Sequence, residues 1–386
     1  MIDAPPLPEC VSVCESAEKG RCCVARRALA RGTKILTAEP VACVLRESSR
    51  ATHCHWCFRA APPDSGALAR CARCRYAYYC SRACQQAHWR AEHAQECAQL
   101  ARAPRYPPAS VLLAARVLRF ASRDSASAQL VHTLRAHPNI TSGGSEDAQL
   151  PPERHVAMAL FLRDFVGAEA LEAHCQGRAR AAVELFGMLE TNAFNIADAD
   201  LRPIGVGLYP SAAMFNHSCT PNVSTVFVGR TVHLHTLQSI APGTELCVSY
   251  IDLAQDVATR RTELQQGFGF HCTCARCTDE DAGPDASARA RAAAPVPAAQ
   301  PHLARAATLR AEGDAAGARA ALDAALAVLR DAAWPPHSVS LVIAQNMLLT
   351  DTIDRQQWDK ARDLCQALLQ HYPCLCFLLF LSSRIF

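Results

Sequence analysis

Eight closely spaced cysteine and histidine side chains constrain the fold of this chain more than any other feature. They lie in the order Cys54, Cys57, Cys71, Cys74, Cys80, Cys84, His93 and Cys97. Zinc binds four soft or borderline ligands tetrahedrally, and a gap of two residues lets one tight turn present both thiolates. Eight ligands complete two such sites, so the spacing predicts two closed, structural zinc sites with no position left open for catalysis.

The whole chain of 386 residues contains 21 cysteines, which suits either a secreted disulfide framework or an intracellular metal protein. The first residues, MIDAPPLPEC, have neither the basic nor the apolar region of a signal peptide. We therefore expect reduced thiols, zinc binding and an intracellular location in the cytoplasm and nucleus. A net charge of +3 is too small to predict nucleic-acid binding, and the apolar runs are too short to span a membrane.

A second cysteine group supplies three thiolates where a tetrahedral zinc needs four ligands. Its members are Cys272, Cys274 and Cys277. The spacing alone does not name the fourth ligand, for which the nearby Cys247 and His271 are candidates. A related question concerns Cys219 in the segment MFNHSCTPN. By residue type, this cysteine suits a thiol nucleophile, a buried thiol or a metal ligand.

Periodicity predicts a mixture of strands and helices. The segments VSTVFVG, TVHLHTL and ELCVSY, between residues 205 and 250, alternate like short strands, and KILTAEPVACVL (Lys34–Leu45) is also β-rich. Residues 110–137 and 153–190 have helical spacing, and the polar stretch TSGGSEDAQLPPE between them predicts a loop.

Two similar helical stretches follow a predicted linker, EDAGPDASARARAAAPVPAAQP. Each contains an Ala-Arg pair, Ala318–Arg319 in one and Ala361–Arg362 in the other. They predict either tetratricopeptide-like helix pairs or two unrelated amphipathic helices. The apolar ending CLCFLLFLSSRIF predicts either a buried element or the point at which a longer family sequence is cut or altered.

Several motifs together resemble those of one enzyme family. The segments GVGLYPSAAMFNHSCTPN, GTELCVSY and FGFHCTCARC match, in order, the SET-domain motifs of protein lysine methyltransferases. The first cysteine group, with YYCSRACQQAHW, resembles a MYND zinc finger. From about residue 11 to 370, the chain therefore resembles the SET and MYND domain-containing protein lysine methyltransferases.

The resemblance implies an α+β fold with a SET-type β-rich core. The implied domains are an N-terminal SET segment (8–53), a MYND zinc finger (54–97), a helical SET insertion (105–190), a core SET domain (191–253), a post-SET zinc motif (264–278) and a TPR-like helical region (300–386). The implied ligands of about three zinc ions are Cys54, Cys57, Cys80 and Cys84; Cys71, Cys74, His93 and Cys97; and Cys219, Cys272, Cys274 and Cys277. His55 and His88 are rival ligands by residue type but do not match ligand positions of the family.

The implied reaction is methyl transfer from S-adenosylmethionine to a lysine of a histone or non-histone protein. The lysine amine attacks the methyl carbon in line as the sulfonium sulfur leaves, so the protein must align the reactants in a desolvated channel rather than supply a nucleophile. By the resemblance, Tyr250 is the catalytic tyrosine, and Phe194 and Phe268 line the lysine channel. The implied cofactor-binding residues are Lys19, Gly20, Asn192, Asn216, His217 and Phe270. We also expect a monomer whose finger either binds proline-rich peptides or serves as a scaffold.

Departures from the family pattern keep a second class of function open. After Lys19 and Gly20, the residues Arg21, Cys22 and Cys23 are larger than the small residues that allow a backbone to approach a ligand. A non-catalytic adaptor with a degenerate SET fold is therefore the alternative. Phe268 also stands where many relatives have tyrosine. A thiol hydrolase is disfavoured, because residues two apart on a turn, such as His217 and Cys219, rarely adopt nucleophile–base geometry.

Overall fold

The computed structural model describes residues 7–16, 19–61, 67–134, 153–175, 180–198, 202–253, 255, 257–282, 296–331, 344–345, 347–349, 351–352 and 355–371. The chain divides into two compact units. The first consists of Met1–Asn216, Val223–Val248 and Gln266–Gly269, and the second of His217–Asn222, Ser249–Gln265 and Phe270–Phe386. Helices and strands are both abundant, so the predicted α+β class is confirmed.

The described strands are short. Their bounds are β1 (Val11–Ser16), β2 (Gly20–Ala25), β3 (Lys34–Ala38), β4 (Ala42–Leu45), β5 (Ala69–Arg70), β6 (Tyr78–Tyr79), β7 (Ala193–Ala197), β8 (Pro203–Leu208), β9 (Asn216–His217), β10 (Val223–Val228), β11 (Thr231–Thr236) and β12 (Cys247–Val248). In the first unit, β1 pairs with β2, β5 pairs with β6, and three-stranded sheets have the orders β10-β11-β3 and β4-β8-β7. Each of these pairings is antiparallel.

Two of the predicted strands are shorter than the sequence pattern suggested. The stretch Lys34–Leu45 forms two strands, β3 and β4, with Glu39–Val41 between them. Pro40 has no N–H to donate to a ladder, which explains the interruption. Of the predicted strand ELCVSY, only Cys247–Val248 has strand geometry.

The helices follow the predicted helical regions but are broken at definable points. Their bounds are α1 (Arg82–His88), α2 (Ala94–Arg102), α3 (Ala109–Ala121) and α4 (Ser125–His132), then Glu153–Val166, Ala168–Cys175, Ala181–Asn192, Val257–Phe268, Ala275–Ala282, Val296–Ala311, Ala315–Asp331 and Trp358–His371. A π-helical turn, Trp89–His93, joins α1 to α2, and 3-10 turns occupy Glu47–Ser49 and Ala212–Met214. The described helices are all too short or too polar to cross a membrane.

Local chemistry explains two of these breaks. The side chain of Asp124 accepts a hydrogen bond from the Ser127 N–H at 2.7 Å and so caps the start of α4. Gly167, with φ of 95°, separates two helices in a backbone conformation that favours glycine. The predicted polar loop lies outside the described residues except for Glu153, which begins a helix.

Helix α3 forms the centre of the first unit's core. Its side chains Val111, Leu112 and Leu113 are fully or almost fully buried, in one cluster with Val44 of β4 and Leu100 of α2. Complete burial of such side chains contributes roughly 1.5–3 kcal/mol each relative to exposure. The cluster thus joins the cysteine-rich segment and the β4-β8-β7 sheet through one helix.

The second unit contains a pair of packed helices, Val296–Ala311 and Ala315–Asp331. Leu303, Leu322 and Leu326 belong to the shared apolar cluster. The first of these helices includes the last six residues of the predicted linker, so the linker boundary was wrong. Pro301 lies within this helix, where it removes one backbone hydrogen bond and places its ring near the preceding turn.

The two stretches with Ala-Arg pairs are both helical, in Ala315–Asp331 and Trp358–His371. Their relation as tetratricopeptide-like repeats stays a prediction. The apolar ending from residue 374 lies outside the described residues.

A glycine allows the cysteine-rich segment to pack closely against the β10–β11 hairpin. Gly229 lies in the hairpin turn with φ of 62°, and a Cβ there would overlap the carbonyl oxygen of Cys57. Beside it, the guanidinium of Arg230 stacks 4.1 Å from the ring centroid of Trp56. The predicted finger is therefore fixed to the sheet by backbone contact at one of its own predicted ligand positions.

We predict that Gly229→Ala lowers the free energy of unfolding by more than the cost of placing alanine in a left-handed conformation. A left-handed conformation costs a residue with Cβ about 1–2 kcal/mol, and overlap in a packed region adds about 1–3 kcal/mol. Gly32→Ala is the matched control, since Gly32 has φ of 79° and open space around its Cβ position. Unfolding in urea measures both; equal losses would contradict close packing at Gly229.

Candidate metal and cofactor sites

The described residues contain three sets of four side chains whose potential ligand atoms lie within 4.8 Å of one another. The sets are Cys54, Cys57, Cys80 and Cys84; Cys71, Cys74, His93 and Cys97; and Cys219, Cys272, Cys274 and Cys277. These are the same three groupings that the sequence resemblance implied. Thiolates and imidazole are the ligands that structural zinc prefers, so each set fits one zinc ion.

In the finger, tight turns and a helix start bring distant cysteines together. The Sγ atom of Cys80 lies 3.7 Å from that of Cys57 and 3.5 Å from that of Cys84. Cys84 is held by the cap of α1, where the Ser81 hydroxyl accepts its backbone N–H at 3.1 Å. The local sequence therefore presents one ligand from a helix and the others from loops.

The two rival histidines have other partners. Nε2 of His55 lies 3.3 Å from the carbonyl oxygen of Arg50, and Nδ1 of His88 lies 3.0 Å from the hydroxyl of Tyr79. His88 also belongs to a fourth close group, with His93 and Glu96. Nη2 of Arg116 lies 3.4 Å from His88 and 2.6 Å from Glu96, and this fixed cation disfavours a metal ion in that group.

The Cys219 set lies wholly within the second unit. Cys219 is only 1% exposed, and its Sγ lies 3.6 Å from that of Cys277. The fully buried Arg260 approaches the same two sulfurs, with Nε 3.3 Å from Cys219 and Nη2 3.6 Å from Cys277. A buried cation there balances part of the negative charge of thiolates. Cys247 and His271, the candidates from proximity, are not in this set.

The ring of His217 connects this cluster to Tyr250. Nδ1 lies 3.1 Å from the backbone nitrogen of Tyr250, and Nε2 lies 3.3 Å from Sγ of Cys219. Because a backbone N–H can only donate, Nδ1 must be unprotonated, and the proton of the neutral ring must lie on Nε2. Burial lowers the pKa of His217 to about 4, which keeps this ring neutral. His217 therefore donates to a cluster sulfur and accepts from Tyr250.

The geometric argument against a thiol hydrolase was wrong in one respect. His217 and Cys219 do meet, because the imidazole folds back along the turn to reach the sulfur. The environment still disfavours a nucleophile. Hydrogen bonding with Cys272 and burial raise the pKa of the Cys219 thiol, and Cys219 lies inside a closed set of four cysteines. The base is oriented by a backbone amide rather than by an acidic side chain.

In the first unit, Lys19, Asn216 and Glu245 form a polar cluster at the start of β2. Nζ of Lys19 lies 2.7 Å from Oε2 of Glu245, and Nδ2 of Asn216 donates to Oε1 of Glu245 at 3.0 Å and to the carbonyl of Arg21 at 2.9 Å. Gly20 has φ of 70°, the conformation that favours glycine. Sequence reasoning missed Glu245, whose only signal was its place in the GTELCVSY motif.

The three large residues after Gly20 are directed to separate partners. Nη2 of Arg21 donates to the carbonyl of Thr133 at 2.5 Å, and Sγ of Cys23 lies 3.4 Å from the carbonyl of Met214 in the core. Cys22 forms a disulfide with Cys14, contrary to the expectation of reduced thiols. These two cysteines lie directly opposite each other in the β1–β2 register, with Cα atoms 5.3 Å apart, a separation that permits the bond.

The other predicted site residues lie in both units. In the first, Nδ2 of Asn192 donates to the carbonyl of Met188 at 2.8 Å, and the ring of Phe194 packs edge-on against that of Tyr209. Phe268 ends the helix Val257–Phe268 and is partly buried. In the second unit, the rings of Tyr250 and Phe270 lie 5.4 Å and 6.2 Å from that of His217.

The sequence model of the SET domain family matches residues 20–251. The chain belongs to the SET domain family. Its SET region contains the strands β2 to β12, the finger, and the residues Asn216, His217 and Tyr250. The resemblance found in the motifs is thus confirmed for the SET domain.

Curated relatives extend the likeness beyond the SET domain. The chain is 33% identical over 273 residues to the histone-lysine N-methyltransferase SMYD3 of Mus musculus, covering 70% of this chain and 62% of the relative. It is 28% identical to the histone-lysine N-methyltransferase ASHR1 of Arabidopsis thaliana, covering 70% and 55%. It is 30% identical to the N-lysine methyltransferase SMYD2 of Mus musculus, covering 69% and 60%. This SET protein therefore spans less than two thirds of the length of these relatives.

We predict that the SET-domain His217 stays in the neutral, Nε2-protonated form at neutral pH. The reason is that its Nδ1 is occupied by the N–H of Tyr250. Long-range proton–nitrogen NMR correlation on nitrogen-15-labelled protein reports the tautomer, and the His217→Gln variant assigns the signal. Observation of a protonated Nδ1 would rule out the bond to Tyr250.

Proposed function

We propose that this SET-domain protein is an S-adenosylmethionine-dependent protein-lysine N-methyltransferase. The observation that carries the proposal is the link from the Cys219 set through His217 to the backbone of Tyr250. Cys219, His217 and Tyr250 all lie in the part of the chain that matches the SET family, and the link would hold the predicted catalytic tyrosine in one orientation. The names of the relatives, histone-lysine and N-lysine methyltransferases, support the same reaction.

The residues at the start of β2 fit the amino-acid part of the proposed cofactor. Lys19 offers a cation and Glu245 an anion, with 2.7 Å between Nζ and Oε2, and the methionine part of S-adenosylmethionine carries a carboxylate and an ammonium group. Both ring nitrogens of His217 are engaged within the protein, which would leave its backbone for cofactor contact. Asn192, Gly20 and Phe270 are proposed cofactor residues on the resemblance alone.

When bound, S-adenosylmethionine supplies an electrophilic methyl group on a sulfonium. The proposed task of the chain is to position a neutral lysine amine and to exclude water. Tyr250 would direct its hydroxyl at the amine, with its main chain held by His217. Phe194, whose ring is braced by Tyr209 at a centroid distance of 5.8 Å, and Phe268 would supply apolar channel walls.

The protein substrate and the partners are proposed at a coarser level. Histone and non-histone lysines both fit the relatives' names, and we propose a monomer in the cytoplasm and nucleus that does not depend on nucleic acid or a membrane. The finger is proposed to bind proline-containing peptides. Its Trp89 is 43% exposed and packs edge-on against His93, and exposed aromatic rings are surfaces that proline-rich segments bind.

The zinc proposal follows from the donor sets. The first two sets would hold the finger's two ions and the third would hold the post-SET ion. In each set all four positions come from the protein, so these ions would serve structure. The third ion would join residues near Cys219 to the segment Cys272–Cys277, which are far apart in sequence.

We predict that Tyr250→Phe lowers the rate of methyl transfer by about 10- to 100-fold. The reason is that a hydrogen bond to a charged group contributes about 1.5–3 kcal/mol. Purified protein is incubated with methyl-labelled S-adenosylmethionine and a lysine-containing protein extract. Tyr78→Phe is the matched control, since it removes a tyrosine hydroxyl from the finger.

Two outcomes would overturn the proposal. Equal activity in wild type and Tyr250→Phe would remove the tyrosine from the reaction. Failure of the wild type to bind S-adenosylmethionine or S-adenosylhomocysteine in calorimetry would favour the non-catalytic adaptor.

A further inference from the structure

A fully buried carboxylate lies beside the histidine of the second finger set. Glu96, on α2, is 0% exposed, and its Oε1 lies 3.4 Å from Nδ1 of His93. Removing a carboxylate from water costs several kcal/mol unless it is paired and hydrogen-bonded. Glu96 therefore needs a cationic partner within the protein.

That charge comes from outside the finger, on α3. Nε of Arg116 donates to Oε2 of Glu96 at 3.0 Å, and Nη2 donates to Oε1 at 2.6 Å. The guanidinium therefore binds both carboxylate oxygens. Nη1 of Arg116 donates to the carbonyl of Cys43 on β4 and lies 3.0 Å from Oε2 of Glu92. Nη1 of Arg119 lies 3.4 Å from Oε2 of Glu96. The carboxylate is thus fixed in position from α3.

The two nitrogens of His93 face different groups. Nε2 lies 3.5 Å from Sγ of Cys71 and 3.5 Å from Sγ of Cys74, whereas Nδ1 faces Glu96. A carboxylate only accepts, so the contact favours a proton on Nδ1 and a lone pair on Nε2 directed at the sulfurs. Histidines that bind metals are commonly oriented by such a carboxylate, and its loss typically costs 10- to 100-fold in metal affinity.

We propose that Glu96 and Arg116 are a positioning pair that makes His93 a zinc ligand. The metal affinity of the finger then depends on an arginine beyond the finger's last cysteine. Because Arg116 also bonds to Cys43 in β4, zinc binding at this set and the packing of α3 on the sheet stabilise each other. The inference rests on assigning zinc to the Cys71 set and does not depend on methyltransferase activity.

Glu92 allows this role to be separated from that of an ordinary buried ion pair. Its carboxylate bonds to the same arginine, but the histidine it approaches is His88, at 3.8 Å, rather than His93. Glu92→Gln therefore perturbs the Arg116 network and leaves the His93 contact in place. Glu96→Gln keeps the shape of the side chain and removes the charge that orients His93.

The test uses the full chain loaded with zinc and a competing chelator. We expect Glu96→Gln to release one zinc ion with about 10- to 100-fold lower affinity, while Glu92→Gln keeps wild-type affinity. Cobalt(II) substitution identifies the site, because a set of three thiolates and one imidazole absorbs differently from the two sets of four thiolates. The altered cobalt spectrum in Glu96→Gln is expected to be that of the mixed set.

A second variant keeps the proposal testable if Glu96→Gln does not fold. Glu96→Asp retains the charge for Arg116 but draws the carboxylate back from His93, and the same selective loss is expected. Unchanged zinc affinity in a folded Glu96 variant would overturn the proposal. Equal losses in Glu92→Gln and the Glu96 variant would also overturn it, since they would indicate general destabilisation.

Discussion

Mutual repulsion of clustered thiolates is the constraint on which both units depend. Two unit charges 4 Å apart repel by about 4 kcal/mol at an effective dielectric constant of 20. In each of the three sets, the ligand atoms of four residues lie within 4.8 Å of one another, and the second and third sets are largely buried. Ionised sulfurs can share such a space only with a cation among them. A zinc ion in each set would neutralise this repulsion and bind distant parts of the chain to one another.

In the third set, hydrogen bonds connect the cysteine cluster to the predicted catalytic tyrosine. Cys219 accepts from His217, and His217 in turn accepts the backbone N–H of Tyr250. Arg260 adds a fixed cation beside two of the sulfurs. The orientation of the predicted catalytic tyrosine is therefore coupled to a predicted zinc site through a single imidazole ring. The sulfur of Cys219 contributes structure, and its contribution to the proposed chemistry is made through His217.

Short-range sequence spacing predicted the finger's ligands well, because the members of each pair of neighbouring ligands are joined by a tight turn or by about one turn of helix. It could not name the fourth residue of the third set, which came from the resemblance to SET-domain proteins. Pro40 explains why the β-rich stretch Lys34–Leu45 forms two strands rather than one. The meeting of His217 with Cys219 was mispredicted because the direction of a side chain on a turn depends on packing.

Ion pairs between residues far apart in sequence leave no local pattern in the sequence. Arg116 and Glu96 come from different helices, and Lys19 and Glu245 are far apart in sequence. The Cys14–Cys22 disulfide depends on the register of β1 and β2, which the sequence did not specify. These contacts surround the predicted zinc and cofactor residues, so the sequence predicted the ligands better than it predicted the groups that orient them.

The coupling between metal and cofactor is tested most directly by Cys219→Ser. The account predicts that metal content falls from about three zinc ions to about two, and that S-adenosylmethionine affinity in calorimetry falls about tenfold or more, as expected when a hydrogen bond to a charged group is lost. Cys247→Ser, which alters a buried thiol outside the three sets, should retain about three zinc ions. Loss of one zinc with unchanged cofactor affinity would contradict the account.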